Sequence, residues 1–278
     1  MRNVLEVNNE TCIGCGECAQ DCPYGLILMQ NDRPAMDMER VEMCLECHHC
    51  LAVCPTGALC IHGCNPDDSQ ALPGNSPSAE QLSLLIKGRR TTRRYRKEPV
   101  SREEIDFLLE AVAYAPTAVN NRQVLFTIIE DPQVMDNFRK ATYAMLQEKI
   151  MNGGLPAGME YLQEAVVKSR DSGQDIIFRG APHFIIASAP KTGSSPEADC
   201  HIALSYFELM AASMGLGTVW SGLAKRSLAM LTPESLYKLG IPESHTIGYM
   251  MAFGRPAVIY HRTVQRENCH INRVLNVA

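Results

Sequence analysis

The chain has 278 residues, 46% of them hydrophobic, and a formal net charge of −5, enough apolar material for an ordinary buried core in one small and one larger domain. No uninterrupted apolar run is long enough to cross a bilayer, and the opening MRNVLEVNNE lacks the apolar centre of a secretory signal, so the expectation is a soluble, cytoplasmic protein with no membrane partner. Through Cys64 there are three basic and nine acidic residues, a net of −6 that leaves about +1 for the remainder, and this acidic front argues against a nucleic-acid partner.

The first 64 residues hold an internal repeat. CIGCGECAQDCP, from Cys12, is matched by CLECHHCLAVCP, from Cys44, at a constant offset of 32, and Gly25 corresponds to Gly57. Disulfides are one use for twelve cysteines. With no export signal and eight of the twelve in metal-type spacing, metal binding in a reducing compartment is the better reading. Three Cys at three-residue steps and a fourth followed by Pro suit a thiolate-bound iron–sulfur cluster. A pair of structural zinc sites is the plainer alternative, but four ligands per ion give no reason for this duplicated spacing. The module resembles the two-cluster bacterial ferredoxins. The repeat then implies a cross-over: Cys12, Cys15, Cys18 and Cys54 on one [4Fe–4S] cluster, and Cys44, Cys47, Cys50 and Cys22 on the other. Cys60 and Cys64 read as small buried residues or extra ligands, Cys200 and Cys269 as core, and His48 and His49 as neighbours of the metal rather than ligands.

Asn65 to Gln81, rich in Pro, Ser, Asn, Asp and Gly, reads as a linker, giving a domain at 1–64, a linker at 65–80 and a second domain at 81–278. Ser78 starts a helix over AEQLSLLIKG, ending at Gly88. Ser101, with Glu104 three residues on, caps a second helix whose Ile105, Leu108, Leu109 and Val112 share a face. VLFTIIE (Val124–Glu130), HFIIASA (His183–Ala189) and HTIGYMMAFG read as buried strands. Residues 136–170 read as mostly helical around a flexible MNGGLPAG, and CHIALSYFELMAASMGLG as a long apolar helix stopping at Gly215 or Gly217.

Five arginines and two threonines fall within Gly88–Arg96, which taken alone could be a basic surface. Guanidinium forks and a hydroxyl also suit phosphate oxygens. The run resembles the R-R-S-x-R-x-[FY] element that binds the FMN phosphate in the nitroreductase family, with Arg89, Arg90, Thr91 and Arg93 on the matching positions and Tyr95 as the aromatic. APTAVNNRQ, Ala115–Gln123, resembles the family's flavin loop A-P-S-x-x-N-x-Q. Counted from Pro116 the Asn is Asn120, counted back from Gln123 it is Asn121, so Gln123 comes one place late. GLGTVWSG puts Trp220, Ser221 and Gly222 where the family's backbone approaches the flavin ring, and Arg262 matches a late basic residue on the phosphate. Trp220 could equally be core filler.

The resemblance implies an α+β protein: a ferredoxin-like two-cluster domain followed by a nitroreductase-like mixed-sheet FMN domain with flanking helices. It implies FMN and two [4Fe–4S] clusters, a homodimer, and electron transfer from the clusters through FMN to a small organic acceptor such as a nitroaromatic, a quinone or an activated alkene. Reduced ferredoxin or NAD(P)H are the implied donors. A relay between redox proteins and reductive dehalogenation are the alternatives. No catalytic side chain stands out; Tyr143, Tyr161 and solvent are candidate proton sources, and Met145, Met151 and Met159 form either a lid or part of the core.

Overall fold

The computed structural model describes residues 4–231, 236, 238–267 and 269–276. The chain forms two compact units: residues 4–77 with Val119–Asn121, and the remainder from Ser78 onward.

In the first unit, β1 (Leu5–Val7) pairs antiparallel with β4 (Leu59–Ile61), and β2 (Ile27–Gln30) with β3 (Arg33–Met36). Asn31 and Asp32, both at positive φ, make the two-residue turn between β2 and β3, which needs left-handed residues to match the strand twist. Two one-turn helices, α1 (Glu17–Gln20) and α2 (His49–Ala52), sit 32 residues apart, and each starts from a left-handed residue, Gly16 and His48. The sequence repeat is therefore a repeat of backbone shape. Leu26 and Ala58, again 32 apart, are buried with Ile27, Leu51, Leu59 and Ile61 in a core too small to do more than space the thiols. Gly14 is required where it stands: at φ +70, an added Cβ would lie 2.8 Å from the Asp32 carbonyl oxygen.

The second unit is built on one sheet, ordered β5 (Leu125–Ile129), β6 (His183–Pro190), β8 (His245–Gly254), β7 (Gly217–Trp220). These ladders are antiparallel, and a parallel bridge joins Thr91 to Thr218. Strand alternation builds two cores. Phe184, Ile186, Met250 and Ala252 face one side, where α5 (Pro132–Met151), α6 (Tyr161–Ser172) and α8 (Gly222–Leu228) pack. Ile185, Ala187, Met251 and Phe253 face the other, against α4 (Arg102–Val112) and α7 (Pro196–Ser213). Burial on both faces is why β6 and β8 read as continuous apolar runs.

α3 (Ala79–Gly88) and α4 begin at Ser78 and Ser101, each with a reciprocal capping box to Gln81 and Glu104. Ile105, Leu108 and Val112 of α4 are at most 2% exposed, worth about 1.5–3 kcal/mol each relative to water. Thr92 is buried against Gly217, where any Cβ would collide with its hydroxyl, so the arginine-rich segment is seated directly on β7. Two elements were not expected from the sequence: β7, four residues hidden inside GLGTVWSG, and α8 after it. Among the described residues, no helix is long and apolar enough to cross a membrane.

Candidate functional site

The eight motif cysteines line two hollows. Cys12, Cys15, Cys18 and Cys54 surround one, walled by Met29, Pro34 and Leu59. Cys22, Cys44, Cys47 and Cys50 surround another, walled by Leu26, Met36 and Ile61. Each repeat thus gives three thiols to one hollow and its fourth to the other. The thiols ring a space rather than a point: no three His, Cys, Asp or Glu among the described residues converge as a group that could hold a metal ion. Apolar walls with thiols spread around a cavity fit a polynuclear cluster, whose charge is then tuned by donors to sulfur.

Such donors are in place. The backbone N–H of Leu26 points at Cys22 Sγ (3.3 Å), and that of Ala58 at Cys54 Sγ (3.2 Å), at equivalent positions of the two repeats. Burial pushes the Cys18 thiol up and the Cys50 thiol up to about 11. Burial also acts to raise Cys54, but the N–H groups of Ala58, Thr56 and Gly57 and the Thr56 hydroxyl outweigh it, and Cys54 is lowered. A thiolate is the ligand form, so these donors favour ligation at Cys54. Cys60 lies in β4 and Cys64 is exposed beside it; neither lines a hollow. Cys200 is buried as expected, whereas Cys269 is exposed, because the segment after β8 runs over the surface. His49 pairs with Asp21 at 3.2 Å, and both His48 and His49 line the second hollow.

In the second unit the arginine segment leaves α3 and bridges to β7. Arg89 ends α3 and donates to the buried carboxylate of Glu208 on α7 at 3.0 Å; Thr218 of β7 donates to the same oxygen at 3.2 Å. Arg90 donates to the Lys87 carbonyl oxygen and keeps a buried Nε with no partner, a donor that an anion would satisfy. Thr91 is half-buried, with its carbonyl accepting from Tyr260, while Arg93 and Arg262 are exposed. Tyr95 packs inward with its hydroxyl on the Ala252 carbonyl, and burial raises its pKa.

The loop after α4 is held by backbone contacts to side chains. The buried Asp199 carboxylate accepts from Ala118 N–H at 2.9 Å, and the Thr117 hydroxyl from Arg122 N–H at 2.9 Å. Val119, Asn120 and Arg122 all have positive φ, a costly run for a β-branched residue among them. Val119–Asn121 belongs with the first unit, where Asn120 Nδ2 donates to the carbonyl oxygens of Leu45 (2.8 Å) and Glu46 (3.2 Å). Gln123 is exposed.

At the other end of the sheet, Trp220 stacks on His201 (6.2 Å, 11°) and meets Tyr249 edge-on (5.2 Å). Ser221 is buried; its N–H goes to the Met250 carbonyl, and its hydroxyl donates to Ile177 O while capping Ala224 N–H. Gly222 then begins α8, whose first-turn N–H has no acceptor within the helix. Its Cβ position lies 3.0 Å from the Tyr249 hydroxyl. An open surface depression lies beside it, lined by Met159, Gly222, Leu223, Lys225, Arg226 and Tyr249 among others.

Tyr143 is not a free proton source: burial and the Asp175 carboxylate it donates to raise its pKa, and it accepts from the N–H of Ile176 and Ile177. Tyr161 is tied to Arg226 by a 2.6 Å hydrogen bond. Of the three methionines, Met145 and Met159 pack on the core and Met151 is exposed. Sequence reading missed Glu208, Thr218 and Asp199. Glu208 inside the apolar run of α7, and Asp199 at its start, were the available signal, since a buried charge needs a partner.

A unit whose eight motif thiols surround two hollows is thus followed by a sheet that carries an arginine-rich segment. The nitroreductase family profile matches residues 86–255, well over half of the chain, and the chain belongs to that family. Residues 11–59 match a 4Fe-4S dicluster domain. The protein is thus an oxidoreductase of the nitroreductase type with an iron–sulfur domain in front. Among curated relatives, an NADH dehydrogenase of Thermus thermophilus is 28% identical over 180 residues, 61% of this chain and 83% of that protein. An iodotyrosine deiodinase of Thermotoga neapolitana is 24% identical over 140 residues, 50% of this chain and 73% of that protein. A nitroreductase with bound FMN from Bacteroides fragilis has the same fold, with TM-score 0.54 and 24% identity over 69% of this chain and 99% of that one.

Proposed function

We propose that this chain is an iron–sulfur flavoprotein that reduces a small organic acceptor: a nitroaromatic, a quinone or an activated alkene. When bound, the clusters would pass electrons one at a time, and FMN would gather them for two-electron delivery. The observation that carries the reading is the crossed thiol arrangement, three from one repeat and one from the other around each hollow, in a chain whose second part belongs to the nitroreductase family. It supports two [4Fe–4S] clusters, on Cys12, Cys15, Cys18 and Cys54, and on Cys44, Cys47, Cys50 and Cys22, in a domain at 1–64 followed by a linker at 65–80 and an FMN domain at 81–278.

The residues of the second unit fit a flavin mononucleotide. Arg90, with its unpartnered Nε, is the phosphate ligand the geometry favours, joined by Arg93, Arg262 and the Thr91 hydroxyl. Arg89 contributes through its fixed position on Glu208. The family resemblance assigns Asn120 and Gln123 to the flavin edge. Of the backbone donors at Trp220, Ser221 and Gly222, the Ser221 N–H is already used by Met250, which leaves those of Trp220 and Gly222 to stabilise charge on a reduced ring.

The donor is reduced ferredoxin or NAD(P)H, the assembly a homodimer and the compartment the cytoplasm. The test is anaerobic turnover of the reduced protein against a panel of nitroarenes, quinones and activated alkenes. Reoxidation by at least one class well above the rate in buffer supports the enzyme. Reoxidation by none, with rapid exchange to a redox protein, turns the reading into a relay. The deiodinase relative gives a halogenated aromatic a place in the panel.

A further inference from the structure

The two thiol sets are related by the repeat, yet their surroundings differ at one side chain. His62 follows β4 in a tight turn: its φ is +49, that of Gly63 is +80, and Ile61 and Cys64 exchange both backbone hydrogen bonds across the turn. The His62 N–H is tied to the Val4 carbonyl at 2.8 Å. The turn aims the imidazole back across the module, and Nε2 lies 3.4 Å from Cys44 Sγ. The His48 ring stacks over it at 6.5 Å and 26°, which fixes the ring plane.

A thiolate bound to iron carries no proton, so at this contact sulfur can only accept and His62 must donate Nε2–H. The residue 32 positions earlier is Gln30, which lies in β2 opposite Arg33, so the repeat places no imidazole at the equivalent position. The other set has one side-chain contact of its own, Thr56 Oγ1 on Cys54 Sγ, at the longer distance of 3.7 Å. The N–H groups of Leu26 on Cys22 and of Ala58 on Cys54 are matched between the repeats. What remains is a ring N–H at 3.4 Å on the Cys44 side against a longer hydroxyl contact at 3.7 Å on the other.

Hydrogen bonds to cluster sulfur stabilise added negative charge and so raise the reduction potential. We infer that His62 is a redox-positioning residue: its N–H to Cys44 sets the potential of the cluster on Cys22, Cys44, Cys47 and Cys50 above that of the cluster on Cys12, Cys15, Cys18 and Cys54. With both clusters bound, a single electron shared by the pair would rest on the one held by Cys22, Cys44, Cys47 and Cys50. This rests on the two-cluster reading above.

The test is an anaerobic redox titration of the full chain by EPR, with dithionite as reductant and one fixed pH, for the parent, His62→Phe and His62→Gln. Phe keeps a ring against His48 without a donor; Gln keeps an amide donor. Iron content is measured on each sample. The parent is expected to show two separable couples. In His62→Phe the higher should fall by roughly tenfold in its reduction equilibrium, about 59 mV for one electron, while the lower stays in place and His62→Gln restores part of the shift. Unchanged couples in a fully loaded His62→Phe protein, or a shift of the lower couple instead, overturn the assignment. Iron for a single cluster in the parent overturns the two-cluster reading itself, a different result from an unmoved potential.

Discussion

Glu208 is the buried charge on which the arginine segment is anchored, and removing it gives a quantitative prediction. Its Oε1 accepts from Arg89 at 3.0 Å and from the Thr218 hydroxyl at 3.2 Å. Side-chain exposure is 24% for Arg89 and 10% for Glu208, so water can replace part of what Arg89 loses but little of what Thr218 loses. A hydrogen bond to a charged group contributes about 1.5–3 kcal/mol, and leaving a buried hydroxyl unpaired adds to that. After the partial return of solvent to Arg89, Glu208→Ala should cost about 2 kcal/mol. For a unit of this size that corresponds to a melting shift of about 4–8 °C. Glu208→Gln keeps both acceptor contacts without the charge and should cost about half as much. Trp220, the single tryptophan, lies two residues from Thr218 in β7, so its fluorescence follows the second unit, while cluster absorbance follows the first. The double variant Arg89→Ala/Glu208→Ala should be less destabilised than the two single losses summed, by about 1 kcal/mol or more. A Glu208→Ala melting point within about 1 °C of the parent, or strict additivity in the cycle, refutes the reasoning.

Two further outcomes follow from the same geometry. Because Cys54 lines the hollow of the first repeat, Cys54→Ala should remove about half of the iron and leave the cluster on Cys22, Cys44, Cys47 and Cys50 intact by EPR; loss of the cluster on its own repeat's thiols would contradict the cross-over. His183 is buried, accepts from Val100 N–H at Nε2 (2.8 Å), and has its pKa lowered by burial, so it is neutral in the folded state. The unfolded chain binds the proton more readily, so this stability is fully present above about pH 6.5 and is lost as pH falls toward the lowered folded value. His183→Gln, with an amide oxygen for Val100, should flatten that slope in urea titrations read by Trp220, and an unchanged slope would show that another group sets it.

What could be read from the sequence was what is local or repeated. Ser78 and Ser101 announced their helices because a capping box lies within four residues. The fixed offset of 32 carried the thiol cross-over into the paired hollows. β6 and β8 were legible because burial on both faces makes a long apolar run, whereas β7 is four residues of ordinary-looking loop whose strand character comes only from pairing with β8. Glu208 and Arg89 are separated by 119 residues, and His62 reaches Cys44 from outside both motifs by way of a turn. No spacing rule announces contacts of that kind, since the fold alone creates them. Asn120 shows the converse: the motif identified the loop, but not that its amide would be bound to Leu45 and Glu46.

The most direct test of iron–sulfur clusters feeding a bound flavin is the composition of the protein purified without oxygen. The account predicts about eight iron, about eight acid-labile sulfide and about one FMN per chain, with overlapping cluster and flavin absorbance. Zinc in place of iron, or a loaded cluster unit with no flavin retained under any condition, would contradict it.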